Sequence, residues 1–469
     1  MIPCTNLSNI GQNGRKRRGL NSKDASEGHN RVQTRFVHEE IHEEIHEEKK
    51  EEKEKEDRLS VMFWNAENFF DWRNDSTTVS DEEFSPAGER HWTWKRFQAK
   101  AHAFAKALFW VEGETGRLPD IVGLEEVENA FVLRQVLQKT ALRKTDYQYV
   151  HYDSPDRRGI DVALLYRSTV LELLESKPCH LYSADTVMAT RDILLCVFMK
   201  REPVIPGLTG NLPLDEREEA GRVGHHENET IESAGLHPRI AVLVNHHPSK
   251  YGGAAESEPL RRNAVARLRF LADSLKAAGI DRIIAGGDFN DTPDNQVFHL
   301  LEPTLIPTHV DLHRRGMGTI KYNGKWDLID HIYVSPEWSV LPSAGFVPAP
   351  EPPAVPSSSP PLAPRMRILR IPFLLTRDSV HSGEKPLRTY TGPRHTGGVS
   401  DHLPVLLEVA FPPAGVPIPP AGASLPPTGA LLPPVEKPSL PTGASLSPEK
   451  ELSLPMRAPV SPVEEPLPP

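Results

Sequence analysis

The sequence predicts an α/β protein, and three observations carry that prediction. The stretch Arg282-Ile-Ile-Ala-Gly-Gly-Asp288-Phe-Asn290-Asp-Thr reads as a buried strand, because Ile283 and Ile284 are β-branched. It runs out at Gly286-Gly287, where the backbone can turn tightly or approach a ligand. Ahead of it, residues 260–279 place Leu260, Ala264, Leu268, Leu271 and Leu275 along one helical face. Several other apolar runs end in the same manner, on a carboxylate, an amide or an imidazole, and α/β proteins place ligands and catalytic groups at strand ends. Gly-Asp-x-Asn alone is also an ordinary turn, since all three residue types favour turns.

Composition limits the folded part. Of 469 residues 46 are Pro, and hydrophobic residues make up only 38%, which points to one domain with long unpacked segments. Residues 38–57 hold eleven acids and four bases, so −7 of the formal −10 lies there and about −3 remains for everything else. No broad basic excess exists to hold duplex nucleic acid nonspecifically. Cys4, Cys179 and Cys196 are too widely spaced for a disulfide or metal framework, and Cys196 lies in an apolar run expected in the core. Arg15-Lys-Arg-Arg18 is followed by no apolar segment, so neither a signal peptide nor a membrane span is predicted and the expected location is cytoplasmic.

Residues 1–57 are expected to be disordered or a lone charged helix. His38-Glu-Glu-Ile-His42 and His42-Glu-Glu-Ile-His46 match the H-E-x-x-H pattern of zinc proteases. They lack an apolar face and a third ligand, and read as a solvated charge run. Leu59 to Trp64 is a strand that delivers Asn65-Ala-Glu67-Asn68, and residues 92–112 form a helix with Trp94, Phe97, Ala101, Phe104 and Leu108 on one stripe. Asp120-Ile-Val-Gly-Leu is the next strand, ending in Glu125-Glu126, and a helix over 129–140 follows. Strands are expected at 147–152 and 160–167, and 191–200 and 239–244 look like hairpin partners.

The polar stretch between those partners, 201–238, is too long for a turn and reads as an insertion. The second partner ends in Asn245-His246-His247-Pro248, and Trp326 to Ser335 is a further strand containing Asp330. A second insertion, 345–364, is nearly pure Pro, Ala and Ser. Folded chain resumes at Met366 and finishes with Gly398-Val-Ser-Asp401-His402-Leu-Pro-Val-Leu-Leu-Glu-Val409. The Pro-rich tail, 412–469, cannot bury a core and is expected to stay extended, where it could bind a protein partner.

If these strands share one sheet edge, Asn65, Glu67, Glu126, His246, Asp288, Asn290, Asp330, Asp401 and His402 converge on one cleft. Carboxylates in one cleft repel unless a hard cation neutralises them, and oxygen ligands suit Mg²⁺ or Mn²⁺. Two histidines beside them supply proton transfer near neutral pH. Those are the parts that phosphoester hydrolysis needs. Taken singly each has a bland reading: Asp330 pairing with an Arg, His246-His247 as a loop pair, Asp401-His402 as a turn motif.

The motifs Trp64-Asn65-Ala-Glu67-Asn68, Leu124-Glu125-Glu126-Val127, Gly286-Gly287-Asp288-Phe289-Asn290, Ile329-Asp330 and Ser400-Asp401-His402-Leu-Pro resemble, in order, those of the endonuclease/exonuclease/phosphatase superfamily. The resemblance spans residues 58–411 with the two insertions. It implies a four-layer α/β sandwich, two packed mixed sheets flanked by helices. It makes Glu126 the principal metal ligand, with Glu67 and Asp401 contributing and Asn65 orienting the site. Asp288 and Asn290 would position or activate water and bind phosphate oxygens, while His246 and an Asp330-oriented His402 would stabilise or protonate the phosphoryl group. The base is left open among metal hydroxide, Asp288 and His402.

Abasic-site nucleases of that superfamily carry Tyr where His246 falls and Lys near Glu128, so the resemblance points away from abasic-site repair. Arg157-Arg158-Gly-Ile-Asp161-Val-Ala-Leu-Leu-Tyr-Arg167 and Lys385-Pro-Leu-Arg388-Thr-Tyr-x-Gly-Pro-Arg394 resemble segments of its bacterial members, with Arg158 a candidate phosphate contact. A nuclease on DNA or RNA is the expected activity. The alternatives are a phosphatase or phosphodiesterase on lipid or small-molecule phosphate esters, and a non-catalytic scaffold. Glu125, next to Glu126, is expected to point to the opposite side of its strand, so that Glu125→Gln is mild.

Overall fold

The structure, a computed structural model, describes residues 58–74, 79–183, 185–201, 238–250, 253–338 and 364–411. The segments 1–57 and 412–469, the two H-E-x-x-H matches and nearly all of both insertions lie outside them.

Two six-stranded mixed sheets form the centre. The first contains β1 (Arg58–Phe69), β2 (Ile121–Val127), β3 (Tyr147–His151), β4 (Asp161–Arg167), β11 (Arg367–Ile368) and β12 (Val405–Ala410), in the order β11-β12-β1-β2-β4-β3. The second contains β5 (Leu171–Cys179), β6 (Ile193–Lys200), β7 (Ile240–His246), β8 (Arg282–Asp288), β9 (Ile306–Pro307) and β10 (Asp330–Val334), in the order β9-β10-β8-β7-β6-β5. Helices α1 (Trp94–Thr115) and α2 (Ala130–Lys139) cover the outer face of the first sheet, and α3 (Ala254–Ala277) covers that of the second.

Alternation along the strands makes the layers. Val61 and Phe63 of β1 point between the sheets with Cys196, Val242 and Ile284, whereas Met62 and Trp64 point outward beneath Phe97 and Phe104 of α1. Gly123 of β2 and Gly286 of β8 clasp the Phe63 ring: a Cβ on either would lie 2.4 and 2.3 Å from it. Thr93 caps α1 by accepting from the Arg96 N–H, and Asn129 caps α2 through Val132. No described helix is long and apolar enough to cross a membrane.

The four-layer sandwich is thus present, with local departures. The apolar run from Trp326 is not one strand: Lys325–Asp327 pairs with Ile320–Tyr322, and β10 begins only at Asp330. Strand β5 has no counterpart in the sequence reading. It is an edge strand with a register shift between Leu173 and Glu175 and a Pro at 178, so its apolar alternation is weak. The helix expected over 260–279 starts earlier, at Ala254, and tolerates Pro259 near its beginning. Cys179 is buried along with Cys196.

Candidate active site

Topology brings the predicted groups to one edge. β7 and β8 run parallel with His246 opposite Asp288, while β10 runs antiparallel with Asp330 opposite Asp288. The beginning of β10 therefore meets the ends of β7 and β8. Likewise β12 is antiparallel to β1, with Val405 opposite Phe63, which sets the residues just before it beside Asn65. Backbone distortion aims the side chains: Glu67, Asn68, Glu126 and Asn290 adopt φ of 46°, 50°, 61° and 52°, unusual for residues with a Cβ and frequent at functional sites. Register shifts in β1 after Asn65 and in β2 after Glu125 mark the same places.

Asp288 is the hub. Its Oδ2 accepts from Asn65 Nδ2 at 3.1 Å and lies 3.7 Å from His246 Nε2 and 3.9 Å from His402 Nε2. Its Oδ1 accepts the Asn290 N–H at 2.8 Å. Burial, eased by His402, raises the Asp288 carboxyl to about 7. Behind His402, the Asp330 carboxylate accepts from Nδ1 at 2.9 Å and also from the Thr319 hydroxyl. A carboxylate only accepts, so Nδ1 carries the proton and Nε2 faces the cleft. Burial works against the charged imidazole, but Asp330 and Asp288 together hold it well above its usual pKa. His246 is the opposite case: burial and the charges of Arg191 and Arg158 hold it well below, so it is neutral.

The acidic group lies beside this. Glu126 Oε1 is 3.9 Å from His246 Nε2, and its Oε2 accepts the Asn68 N–H at 2.8 Å. Glu67 accepts from Arg388 Nε at 3.2 Å and from the Thr389 N–H at 2.7 Å, and the same Arg388 reaches Asp401 at 2.9 Å. Burial and the nearby Asp401 raise Glu67 to about 8. Glu67, Glu126 and Asp401 supply carboxylate oxygens of the kind a hard divalent cation takes, although their donor atoms do not all lie within 4.8 Å of one another. Among the described residues, the group whose donor atoms do all lie within 4.8 Å of one another is a different one, His151, Asp153 and Asp161. There Asp161 is already engaged by His151 at 3.1 Å and by the Ser154 N–H at 2.9 Å.

Asn65, Asn290, His246 and His402 gather round Asp288, with Asp330 behind His402 and Glu126 3.9 Å from His246, while Glu67 and Asp401 meet through Arg388. Arg158 stands apart, half exposed beside Asp156 at 3.6 Å. Asn290 Nδ2 is directed to the His247 carbonyl at 3.0 Å, so this amide also steadies the His246-His247 loop. Sequence reasoning missed Lys100, whose Nζ donates to the Glu67 carbonyl at 2.5 Å and to Thr389 Oγ1 at 3.0 Å. Burial, against the pull of Glu67, lowers it to about 8. Its signal was legible: Lys100 lies on the stripe of Phe97, Ala101 and Phe104, where a charge needs a partner. Arg388 was seen as part of a motif but not as the link between Glu67 and Asp401.

Carboxylates, an amide and an Asp-oriented His thus gather at one edge of a two-sheet α/β sandwich. The chain belongs to the Endonuclease/Exonuclease/phosphatase family, whose model matches residues 60–202 and 233–411. Members of that family are hydrolases acting on phosphate esters and typically depend on a divalent metal. No curated protein matches the sequence. Among solved structures the chain is similar to an endonuclease/exonuclease/phosphatase family protein from Bacteroides thetaiotaomicron, at 15% identity over 76% of this chain and 98% of that one, with a TM-score of 0.42. A mannosyl-6-phosphatase of the same organism gives 15%, 75%, 100% and 0.42. TDP2 of D. rerio, complexed with a single strand DNA product, gives 15%, 75%, 98% and 0.38.

Proposed function

We propose that this chain is a divalent-cation-dependent phosphoesterase that cleaves phosphodiester bonds by attack of water, with nucleic acid as the expected substrate class. The observation that carries the reading is the environment of Asp288 Oδ2, with an amide at 3.1 Å and two imidazole nitrogens at 3.7 and 3.9 Å. Glu67, Glu126 and Asp401 would hold Mg²⁺ or Mn²⁺, which supplies positive charge to screen the phosphate and acidify water. Asp288, fixed by Asn65 and the Asn290 N–H, accepts a proton from the attacking water. His402 offers an imidazolium N–H to the phosphoryl oxygens, since Asp330 keeps it charged and oriented. His246, being neutral, donates a hydrogen bond without a full charge.

A second reading, a phosphatase or phosphodiesterase on lipid or small phosphate esters, is favoured by the charge outside residues 38–57, about −3, because nucleic-acid binders usually cluster Lys and Arg. Assaying plasmid DNA, RNA, bis(p-nitrophenyl) phosphate and sugar and inositol phosphates with Mg²⁺ or Mn²⁺, each with a chelator control, separates the two. Full hydrolysis by Asp288→Asn, or none by the wild type on any ester, rejects both.

A further inference from the structure

Building on the phosphoesterase reading, we propose that Arg191 is a positioning residue: with Asp156 it clamps the loop bearing Arg158 across the cleft, so that Arg158 meets substrate phosphate. Arg191 lies two residues before the start of β6 in the second sheet and is buried. Its Nη2 donates to the His247 carbonyl at 2.7 Å, and its Nη1 donates to Asp156 Oδ2 at 3.0 Å. Asp156 belongs to the loop between β3 and β4 of the first sheet. The ion pair therefore ties the two sheets together at the mouth of the site, immediately behind His246-His247.

The loop is built to present something. At one end Asp161 accepts from the Ser154 N–H, and within it Asp156 Oδ1 accepts the Arg158 N–H at 2.9 Å while its carbonyl accepts the Gly159 N–H at 3.1 Å. Asp156 thus joins Arg191 to the backbone of Arg158 through one carboxylate. The side chains sort accordingly: Arg191 and Asp156 are 5% and 6% exposed, whereas that of Arg158 is 45% exposed. A buried pair of this kind contributes little net stability against apolar replacements but is costly to break on one side. Its visible consequence is the fixed placement of an exposed guanidinium, the group suited to a phosphate fork. The charges acting on Arg191 include Arg158 and Glu126, so the clamp and its passenger both lie within the field of the catalytic edge.

The test compares Arg191→Met, Asp156→Asn and Arg158→Met in the full chain, with bis(p-nitrophenyl) phosphate and Mg²⁺ for kinetics and inorganic phosphate for binding. KM is expected to rise about tenfold or more in each, since that is the scale on which losing a charge-assisted hydrogen bond to phosphate weakens binding, with kcat changed far less in Asp156→Asn. Arg158→Met combined with Asp156→Asn should be no worse than either alone. Native trypsin cleavage after Arg157 and Arg158 should accelerate in Arg191→Met and Asp156→Asn, a readout independent of turnover. If the wild type hydrolyses no phosphate ester, the family-based activity fails, and phosphate affinity with the trypsin rate still decides the clamp. Unchanged KM and phosphate affinity in the clamp variants, multiplying losses in the double variant, or an unchanged cleavage rate overturns it.

Discussion

Asp330 accepts the Nδ1 proton of His402 at 2.9 Å although 72 residues separate the two. The contact leaves Nε2 aimed at Asp288, 3.9 Å away, so the carboxylate fixes both the tautomer and the charge of the imidazole. Residues acting as one unit lose activity together rather than in sequence. His402→Ala is expected to cost roughly 10²- to 10⁴-fold in turnover, the usual range for a positioned proton donor. Adding Asp330→Asn to it should cost little more. Steady-state kinetics on a phosphodiester checks this, and multiplying losses would show that the residues work separately. Full activity with early unfolding in both single variants would make the pair purely structural.

Glu126→Gln keeps the shape of the side chain and the acceptor for Asn68 while removing a charge from the cation site. Mg²⁺-dependent hydrolysis should fall by roughly 10³-fold or more, with folding stability unchanged or higher. Calorimetric Mg²⁺ titration should show weakened binding in parallel. Undiminished turnover at saturating Mg²⁺ would remove Glu126 from its role as principal ligand.

Buried neutral histidines outside the site give a pH prediction. His309, stacked on His331 at 4.4 Å, has its pKa lowered by burial from 6.5 to about 4. A base with a lowered folded pKa leaves the proton to the unfolded chain. Its stabilisation is complete above pH 6.5 and is lost as pH falls from there towards 4. Total stability is not diagnostic, because Glu67, raised to about 8, and Glu128, raised to about 10, each by burial first, titrate in the opposite sense. The difference between wild type and His309→Gln isolates the group. It should shift against the wild type by about 1 kcal/mol between pH 7.0 and 5.5 in urea unfolding. A difference independent of pH would show that His309 is not held neutral.

How much of this was legible beforehand depends on where the information sits. Strands β1, β2, β7 and β8 are apolar runs that end in chemistry-bearing residues, so both the element and its functional end could be read locally. Nothing local says that β10 is antiparallel to β8, yet that pairing is what puts Asp330 at its start rather than its end. The edge strand β5 escaped because only its two end residues, Leu171 and Cys179, are buried. The pleat that would set Glu125 opposite Glu126 is interrupted there by the register shift and the left-handed φ of Glu126, and Glu125 is fully buried against Gly287, its oxygens without a hydrogen-bond partner. Which side of a strand is solvent is a tertiary fact. Lys100 and Arg191 are long-range ties for the same reason, since their partners lie in other layers.

The approach of Glu125 to β8 rests on Gly287, and this gives the last prediction. Gly287 has φ of +130°, and a Cβ there would lie 2.0 Å from the Asn245 carbonyl oxygen and 2.8 Å from Glu125 Oε1. Two costs add: a conformation essentially restricted to glycine, about 1–3 kcal/mol, and a backbone clash between neighbouring strands that cannot relax by a rotamer change. Gly316 separates them, because its φ is +66° and nothing lies within 4 Å of a Cβ built there. Gly316→Ala should therefore cost only about 1 kcal/mol, the ordinary left-handed penalty. Gly287→Ala should cost at least about 3 kcal/mol. It should also depress turnover in the fraction that remains folded, because β8 must move and Asp288 moves with it. Urea unfolding and phosphodiesterase assays on both variants supply the comparison. Equal losses in the two would mean that backbone conformation alone sets the cost and that β7 and β8 are not locked at the Asp288 edge.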